Sequence, residues 1–368
     1  GRKQGFYDEY WPNGKRKIKA SYRNGKLNGS YRESFKNGGT KIRATYADGK
    51  LHGSRQVYEK GQLVRDEYWF NGDLLIPRSH AEIVATMRVI ERMPIKTIGQ
   101  IPQGLPLRWA AAVRNPALQR QREAALRLLM AYRFLCHVPF RDLELDVAFN
   151  ARCEASCEIL QRLGVLTHAP QNPGMLKLEY RLAHDGCANG NLSSSANSVV
   201  AVNQFMSDSD ATNINRLGHR RWCLNPVMKK TGFASNHGYT VMWATDGSRS
   251  GIPDQKFTAF PPNGLIPTKF FSKGDAWSIM LSRRHYQQPA KKNTSAKIWP
   301  ARFIPAQGVL QKTAQPLPLN YFNVNDDCVI FRPATVQVAS GATYIVEIAG
   351  IKDRSGKPAP IVYLVIFF

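Results

Sequence analysis

The chain has 368 residues, 43% hydrophobic side chains and a formal net charge of +24. That length suits two or three domains, and no apolar run approaches the roughly 18 residues that span a bilayer, which excludes a transmembrane helix. The charge is spread out: residues 1–76 hold 16 Lys/Arg and 8 Asp/Glu, residues 77–234 hold 20 and 12, and residues 235–368 hold 15 and 7. No segment is a concentrated basic tail, so specific nucleic-acid binding is not expected, while an acidic polymer stays open as a partner.

Residues 5–72 carry an internal repeat. Gly5, Gly29 and Gly53 are 24 apart; Gly14 and Gly38 repeat at the same distance, with Gly61 following 23 later; Gly25, Gly49 and Gly72 mark a third register. Asn13-Gly14, Asn24-Gly25, Asn37-Gly38 and Asp48-Gly49 are hairpin turn signals, read as two-residue turns in which both central positions need positive φ. Aromatic residues recur between them. Each unit is expected to be a pair of short strands stacked on its neighbours in a long, twisted sheet. About three units are present, and they resemble the MORN-type repeat of bacterial proteins. The resemblance implies a binding or spacer surface without catalytic chemistry.

Residues 77–114 read as a helical, Pro-rich connector. Ser79-His80-Ala81-Glu82 is a capping box that opens a helix through about Met93, and Pro94, Pro102 and Pro106 then interrupt the pattern. Asn115-Pro116 pairs a cap with a first-turn proline, and Leu118, Leu126, Leu129, Tyr132 and Leu135 supply the apolar face of the helix that follows. A second helix is expected from about Leu143 to Leu163, ended by Gly164. It has two apolar stripes, Ala148, Ala151, Ala155 and Ile159, then Phe149, Cys153, Cys157 and Leu160, and so is read as a middle layer. A third helix starts near Ser194 or Ser195 and carries Val199, Val202, Phe205 and Met206. Tyr239–Ala244 reads as a strand. From about residue 249 strands dominate, with Ala276–Leu281, Cys328–Phe331, Thr343–Ile348 and Ile361–Phe368 the clearest; a small antiparallel β-sandwich is the simplest reading.

Two histidines, His168 and His219, fall at helix-to-loop junctions where side chains can converge on a cleft. His219 belongs to Leu217-Gly218-His219-Arg220-Arg221-Trp222-Cys223-Leu224-Asn225-Pro226, which concentrates a histidine, two arginines and a tryptophan before an Asn-Pro turn. Arg220 and Arg221 have the chemistry to hold an anion bidentately, although pairing with Asp208 or Asp210 is favoured. Cys223 beside them is read as buried or disulfide-bonded in preference to a thiolate. Six cysteines, at 136, 153, 157, 187, 223 and 328, allow 15 pairings that spacing cannot choose among, and free buried thiols fit equally well. Ser193, Ser194 and Ser195 look like helix caps, and no Gly-x-Ser-x-Gly elbow is present.

Taken in order, several pieces over residues 115–248 resemble the CAP (SCP/PR-1-like) domain. They are the first long helix; the Ala-rich helix ending before Leu166-Thr167-His168; Cys187-Ala188-Asn189-Gly190-Asn191-Leu192; the Ala201-Val202 to Met206 helix; Gly218-His219-Arg220 with Asn225-Pro226; and Thr231-Gly232-Phe233. The resemblance implies an α-β-α sandwich and a cleft where two histidines and two glutamates hold a divalent metal such as zinc. Carried over by position, the histidines are His168 and His219. The first glutamate falls on Gly190, and the second has no clear match, with Asp208 or Asp210 nearby and Glu179 or His184 as substitutes. Two imidazoles without carboxylates make a poor zinc site and leave no carboxylate base.

The sequence thus predicts an α+β multidomain chain: hairpin repeats over 1–76, the connector over 77–114, a CAP-like α-β-α sandwich over 115–248 and an antiparallel β-sandwich over 249–368. The expected role is binding or assembly rather than catalysis, with a degenerate cleft lined by His168, Asn191, His219, Arg220 and Trp222. A protein partner or larger assembly would dock on the repeat sheet. Metal-assisted hydrolysis of peptide or cell-wall material through His168 and His219 is the alternative, and binding of an acidic polymer a third. A secreted or cell-envelope location is expected, and a processed or truncated start would account for Gly1 and the lack of a visible signal peptide.

Overall fold

A computed structural model describes residues 2–70, 72–74, 78–304 and 309–368. Strands β1 (Gly5–Tyr10), β2 (Arg16–Arg23), β3 (Lys26–Ser34), β4 (Thr40–Ala47), β5 (Lys50–Glu59), β6 (Gln62–Phe70) and β7 (Asp73–Leu74) form one antiparallel sheet in sequence order. The two kinds of turn in each repeat differ. Asn24-Gly25 and Asp48-Gly49 have φ of 50° and 81°, and 48° and 84°, as a two-residue primed turn requires. At Asn13-Gly14 and Asn37-Gly38 only the glycines are left-handed, at 77° and 90°, so the expected two-residue geometry fails there. Longer loops replace it, next to bulges after Glu9 and Glu33.

The 24-residue period extends to side chains. Tyr7 packs on Tyr22 at 5.9 Å and Tyr31 on Tyr46 at 5.7 Å, both edge-on. Lys17 pairs with Glu9 at 2.6 Å and Lys41 with Glu33 at 2.7 Å. Ala20 and Ala44 are buried beneath the tyrosines. Along the opposite face, Lys19 of β2 stands across from Arg32 of β3, and Arg32 across from Arg43 of β4. All three are exposed.

The connector holds α1 (His80–Arg92), the two-residue β8 (Thr97–Ile98) and α2 (Leu107–Arg114). Ser79 caps α1 by accepting from the Glu82 N–H at 3.2 Å. Met93 turns extended ahead of Pro94, which stops the helix. Pro106, read as an interruption, is instead the residue from which α2 starts.

Helix α3 (Pro116–Leu135) begins as expected, with Asn115 accepting from the Ala117 and Leu118 N–H groups. Helix α4 (Val147–Leu163) starts later than its apolar pattern suggested, because β9 (Glu144–Asp146) is drawn into a short parallel sheet with β8 and β11 (Lys230–Thr231), and Asp146 becomes the cap. Gly164 ends α4 at φ +69°. Helix α5 (Lys177–Asn189) was not anticipated. It leads directly into β10 (Gly190–Ser193), which pairs with β13 (Tyr239–Trp243), itself paired with β12 (Phe233–Asn236). Helix α6 (Ser198–Ser207) is capped by Asn197, not by a serine. His219, expected in a loop, lies inside the short α7 (Gly218–Cys223).

Alternation along β12 and β13 sends their residues to two cores. Ala234 and Val241 join a cluster with α4 and α5 residues such as Cys153, Cys157, Leu160 and Leu182. Phe233 and Met242 join another with Leu126, Leu129, Val202 and Phe205 of α3 and α6. Helices therefore cover both faces of this sheet, and both stripes of α4 are buried from Ala151 onward.

The C-terminal strands form two sheets. One has the order β14 (Phe257–Phe260), β16 (Trp277–Leu281), β20 (Cys328–Pro333), β19 (Leu319–Asn325). The other runs β15 (Gly264–Ile266), β22 (Ile361–Phe367), β21 (Thr343–Ala349), β17 (Ser295–Ile304), β18 (Val309–Lys312), with β15 and β22 parallel, so this half is not purely antiparallel. Trp277 of the first sheet meets Tyr344 of the second edge-on at 5.8 Å. Their apolar residues belong to the same cluster as α3 and α6, joined through Tyr132 against Phe270 at 5.0 Å. The core thus runs without a break across the boundary expected near residue 249.

Candidate functional site

Helix α7 divides the His219 segment into two faces. His219, Arg220 and Cys223 turn toward the core, while Gly218, Arg221 and Trp222 line an open cavity of about 650 Å³. The predicted cleft residues therefore do not share one site.

On the inner side Asp208, the left-handed cap of α6 at φ +45°, is buried. One of its carboxylate oxygens lies 2.8 Å from His219 Nδ1, and the other accepts from the Arg220 N–H at 3.3 Å. A neutral imidazole that donates Nδ1–H to Asp208 keeps Nε2 as its acceptor. The ring leans on Phe205 at 5.3 Å and stays partly exposed. His168 is exposed elsewhere, its Nδ1 donating to the Cys187 carbonyl at 2.8 Å. The suggested substitutes are engaged: Glu179 pairs with Arg108 at 3.0 Å, and His184 packs on Tyr180 at 5.7 Å. Among the described residues no three His, Cys, Asp or Glu side chains come together as a metal site.

At Gly190 the expected glutamate is sterically barred. A Cβ placed there would lie 2.5 Å from the Gly186 carbonyl and 2.8 Å from Val241 Cγ1. The neighbouring Asn191 does not face a ligand. It is buried and donates to the His219 carbonyl at 3.0 Å and to Cys223 Sγ at 3.5 Å, tying β10 to α7.

Arg220, a candidate ligand residue from sequence, is a staple. Its fully enclosed guanidinium donates to the carbonyls of Met206 at 2.6 Å, Ala276 at 2.7 Å and Ser207, and to Ser278 Oγ at 3.0 Å, and it lies over the Phe260 ring at 4.7 Å. It therefore caps α6 and bonds it to the strand β16 region. Arg133 does the same for α7, donating to the carbonyls of Cys223, Asn225 and Pro139 at 2.8, 2.9 and 2.8 Å. Neither Arg220 nor Arg221 pairs its side chain with Asp208 or Asp210. Asp210 instead accepts from Thr212 and Asn213.

All six cysteines are free and buried. Burial pushes the Cys223 thiol up to about 12, with Asp208 adding to the shift, which removes it as a nucleophile near neutral pH.

The cavity on the outer side lies between α7, the approach to β14, the end of β16 and the β19–β20 turn. Arg221 reaches that turn, donating to Asn325 and Asp327, each at 3.0 Å. Asp326 at the tip has φ +53°. Trp222 is 40% exposed, and Arg216 and Arg284 are exposed at the rim. Of these, Arg221 and Trp222 were singled out from sequence. The Arg283-Arg284 and Asp326-Asp327 pairs were visible as charge doublets, but nothing local joins residues 61 to 105 positions beyond Trp222.

Comparison with protein-family models, with curated proteins and with solved structures finds no match for this chain.

Proposed function

We propose that the protein is a binding and assembly component whose repeat sheet docks an acidic partner, in keeping with MORN-type repeats joined to a CAP-like α-β-α domain and a C-terminal β-sandwich. The Lys19–Arg32–Arg43 row carries this reading. Like charges directly opposite on neighbouring strands destabilise a sheet, and strands about 4.8 Å apart hold these three within roughly 10 Å. No acid compensates them among the described residues. Asp8, opposite Lys19, is taken by Arg16 at 3.0 Å; Arg32 donates to Thr40 Oγ1 at 2.7 Å; Arg43 lies over the Tyr58 ring at 5.8 Å. An acidic partner would relieve the repulsion that the free sheet tolerates only in water.

The test is binding of poly-L-glutamate to the whole chain and to the Lys19→Gln, Arg32→Gln, Arg43→Gln triple variant across a salt series. Affinity is expected to fall steeply with salt and by at least about tenfold in the variant. A flat salt response, or unchanged binding by the variant, rejects the reading.

A second reading, metal-assisted hydrolysis, is favoured by the Asp208–His219 contact, which would present Nε2 as base or ligand. Elemental analysis of the protein and of its His168→Ala and His219→Ala variants separates the two. Stoichiometric zinc lost in both variants would establish a metal cleft and overturn the degenerate one.

A further inference from the structure

The cavity beside Trp222 has about 650 Å³, the size of site that takes a small organic molecule. Its charge is one-sided: Arg216, Arg221, Arg283 and Arg284 line it against Asp326 and Asp327. Asp327 accepts from Arg221 at 3.0 Å and lies 3.4 Å from Arg283, and Asp326 lies 3.5 Å from Arg221. The charged groups left over are cationic. The guanidinium groups of Arg216 and Arg284 have no side-chain partner among the described residues, and neither has the Trp222 indole N–H. Ile252, Phe257 and Met280 add apolar lining.

We propose that this cavity binds a small organic anion with a flat or apolar body, its charge held by Arg216 and Arg284 and its body laid on the Trp222 indole. Arginine presents a planar fork of donors that suits carboxylate, sulfonate or phosphate oxygens. The half-exposed indole offers a flat face that loses little entropy on binding. A bare inorganic anion would leave the apolar lining wet, and a neutral apolar molecule would make no use of the two arginines. The site is separate from the repeat sheet and from His219, so it stands or falls independently of the acidic-partner reading.

The probe is 1-anilinonaphthalene-8-sulfonate, an anion with an aromatic body, followed by its fluorescence on the whole chain. Uncharged N-phenyl-1-naphthylamine is the matched control. Saturable one-to-one binding of the anion is expected, at least about tenfold tighter than the neutral analogue. Arg216→Gln with Arg284→Gln should lower anion affinity about tenfold or more and leave the neutral analogue unchanged. Trp222→Ala should weaken both. Phe6→Ser, which removes an apolar ring of the repeat sheet that is 80% exposed, should change neither. Far-UV circular dichroism and the thermal midpoint serve to show that the variants are folded. Equal affinity for the two probes, indifference to the double variant, or loss of binding in Phe6→Ser overturns the proposal.

Discussion

The repeat sheet and the body that follows it are held together by different means. Within the sheet only Ala20, Ser34 and Ala44 are buried among the residues whose side chains are described. Its strands pair with their sequence neighbours, and its ion pairs span from eight residues, as in Lys17–Glu9, to 25, as in Arg23–Asp48. The body is bound by long-range contacts: one apolar cluster joins α3 and α6 to both C-terminal sheets, and buried arginines stitch chain segments far apart in sequence. Arg122 pairs with Glu154 at 2.7 Å with both side chains almost fully enclosed, linking α3 to α4. A local architecture leaves side chains free to serve a surface, whereas a buried polar network commits them to the fold.

The largest test of that contrast is Arg220→Met. It strips donors from the buried carbonyls of Met206, Ser207 and Ala276, and each unsatisfied acceptor costs about 1–3 kcal/mol. A loss of at least about 3 kcal/mol is expected in urea unfolding followed by buried tryptophan fluorescence, while amide exchange in residues 5–59 stays unchanged. Equal loosening of both regions would show that they are one cooperative unit.

Gly190→Glu comes next. A glutamate there would have to displace the Gly186 carbonyl and Val241, so a loss of about 3 kcal/mol is expected, without gain of zinc. Native stability together with zinc binding would show that this position accommodates a carboxylate ligand and that Gly186 and Val241 give way to it.

The pH response of the body should be nearly as large. Burial, with help from the positive charge of Arg78, pulls His137 down to about 4, against a hydrogen bond to the Asn263 carbonyl at 2.9 Å. The unfolded chain binds this proton below about pH 6.5 and the folded chain only below about 4, so stability is full above 6.5 and falls as the pH drops toward 4. The shift corresponds to about 3 kcal/mol as an upper figure. Denaturation midpoints between pH 7 and 4 should show the slope, and His137→Gln should flatten it. An unchanged slope in the variant would assign the effect to other groups.

The smallest effect belongs to the sheet. Replacing Arg32 by Gln relieves two like-charge contacts and should stabilise it by less than about 1 kcal/mol at low salt, vanishing as salt is raised. A destabilised variant would mean that Arg32 contributes through Thr40 more than it repels.

Reading the His219 segment from sequence drew on residue type and missed orientation. The His219 cluster was conspicuous because such residues rarely gather for packing alone. Yet two of its cations have opposite fates: Arg220 is enclosed and Arg221 lines the cavity. Adjacent positions on a one-and-a-half-turn helix point to different sides, and the sequence carried no sign that α7 was a helix at all, since it has no capping side chain and starts from a left-handed Leu217. Helix α5 was missed for a related reason, as its N-cap Leu176 accepts no side-chain hydrogen bond.

What the sequence determined by itself is the repeat sheet. Asn24-Gly25 and Asp48-Gly49 write their turns locally, and the 24-residue period carries the tyrosine pairs and ion pairs with it. Capped helix starts at Ser79 and Asn115, and the stop at Gly164, were equally local. The tertiary structure alone decided that Gly190 has no room for a side chain, that Arg220 serves the core and that Trp222 faces a cavity. Those outcomes depend on Val241, Ala276 and the turn at Asp326, which the chain brings into place only when the sheets and helices pack.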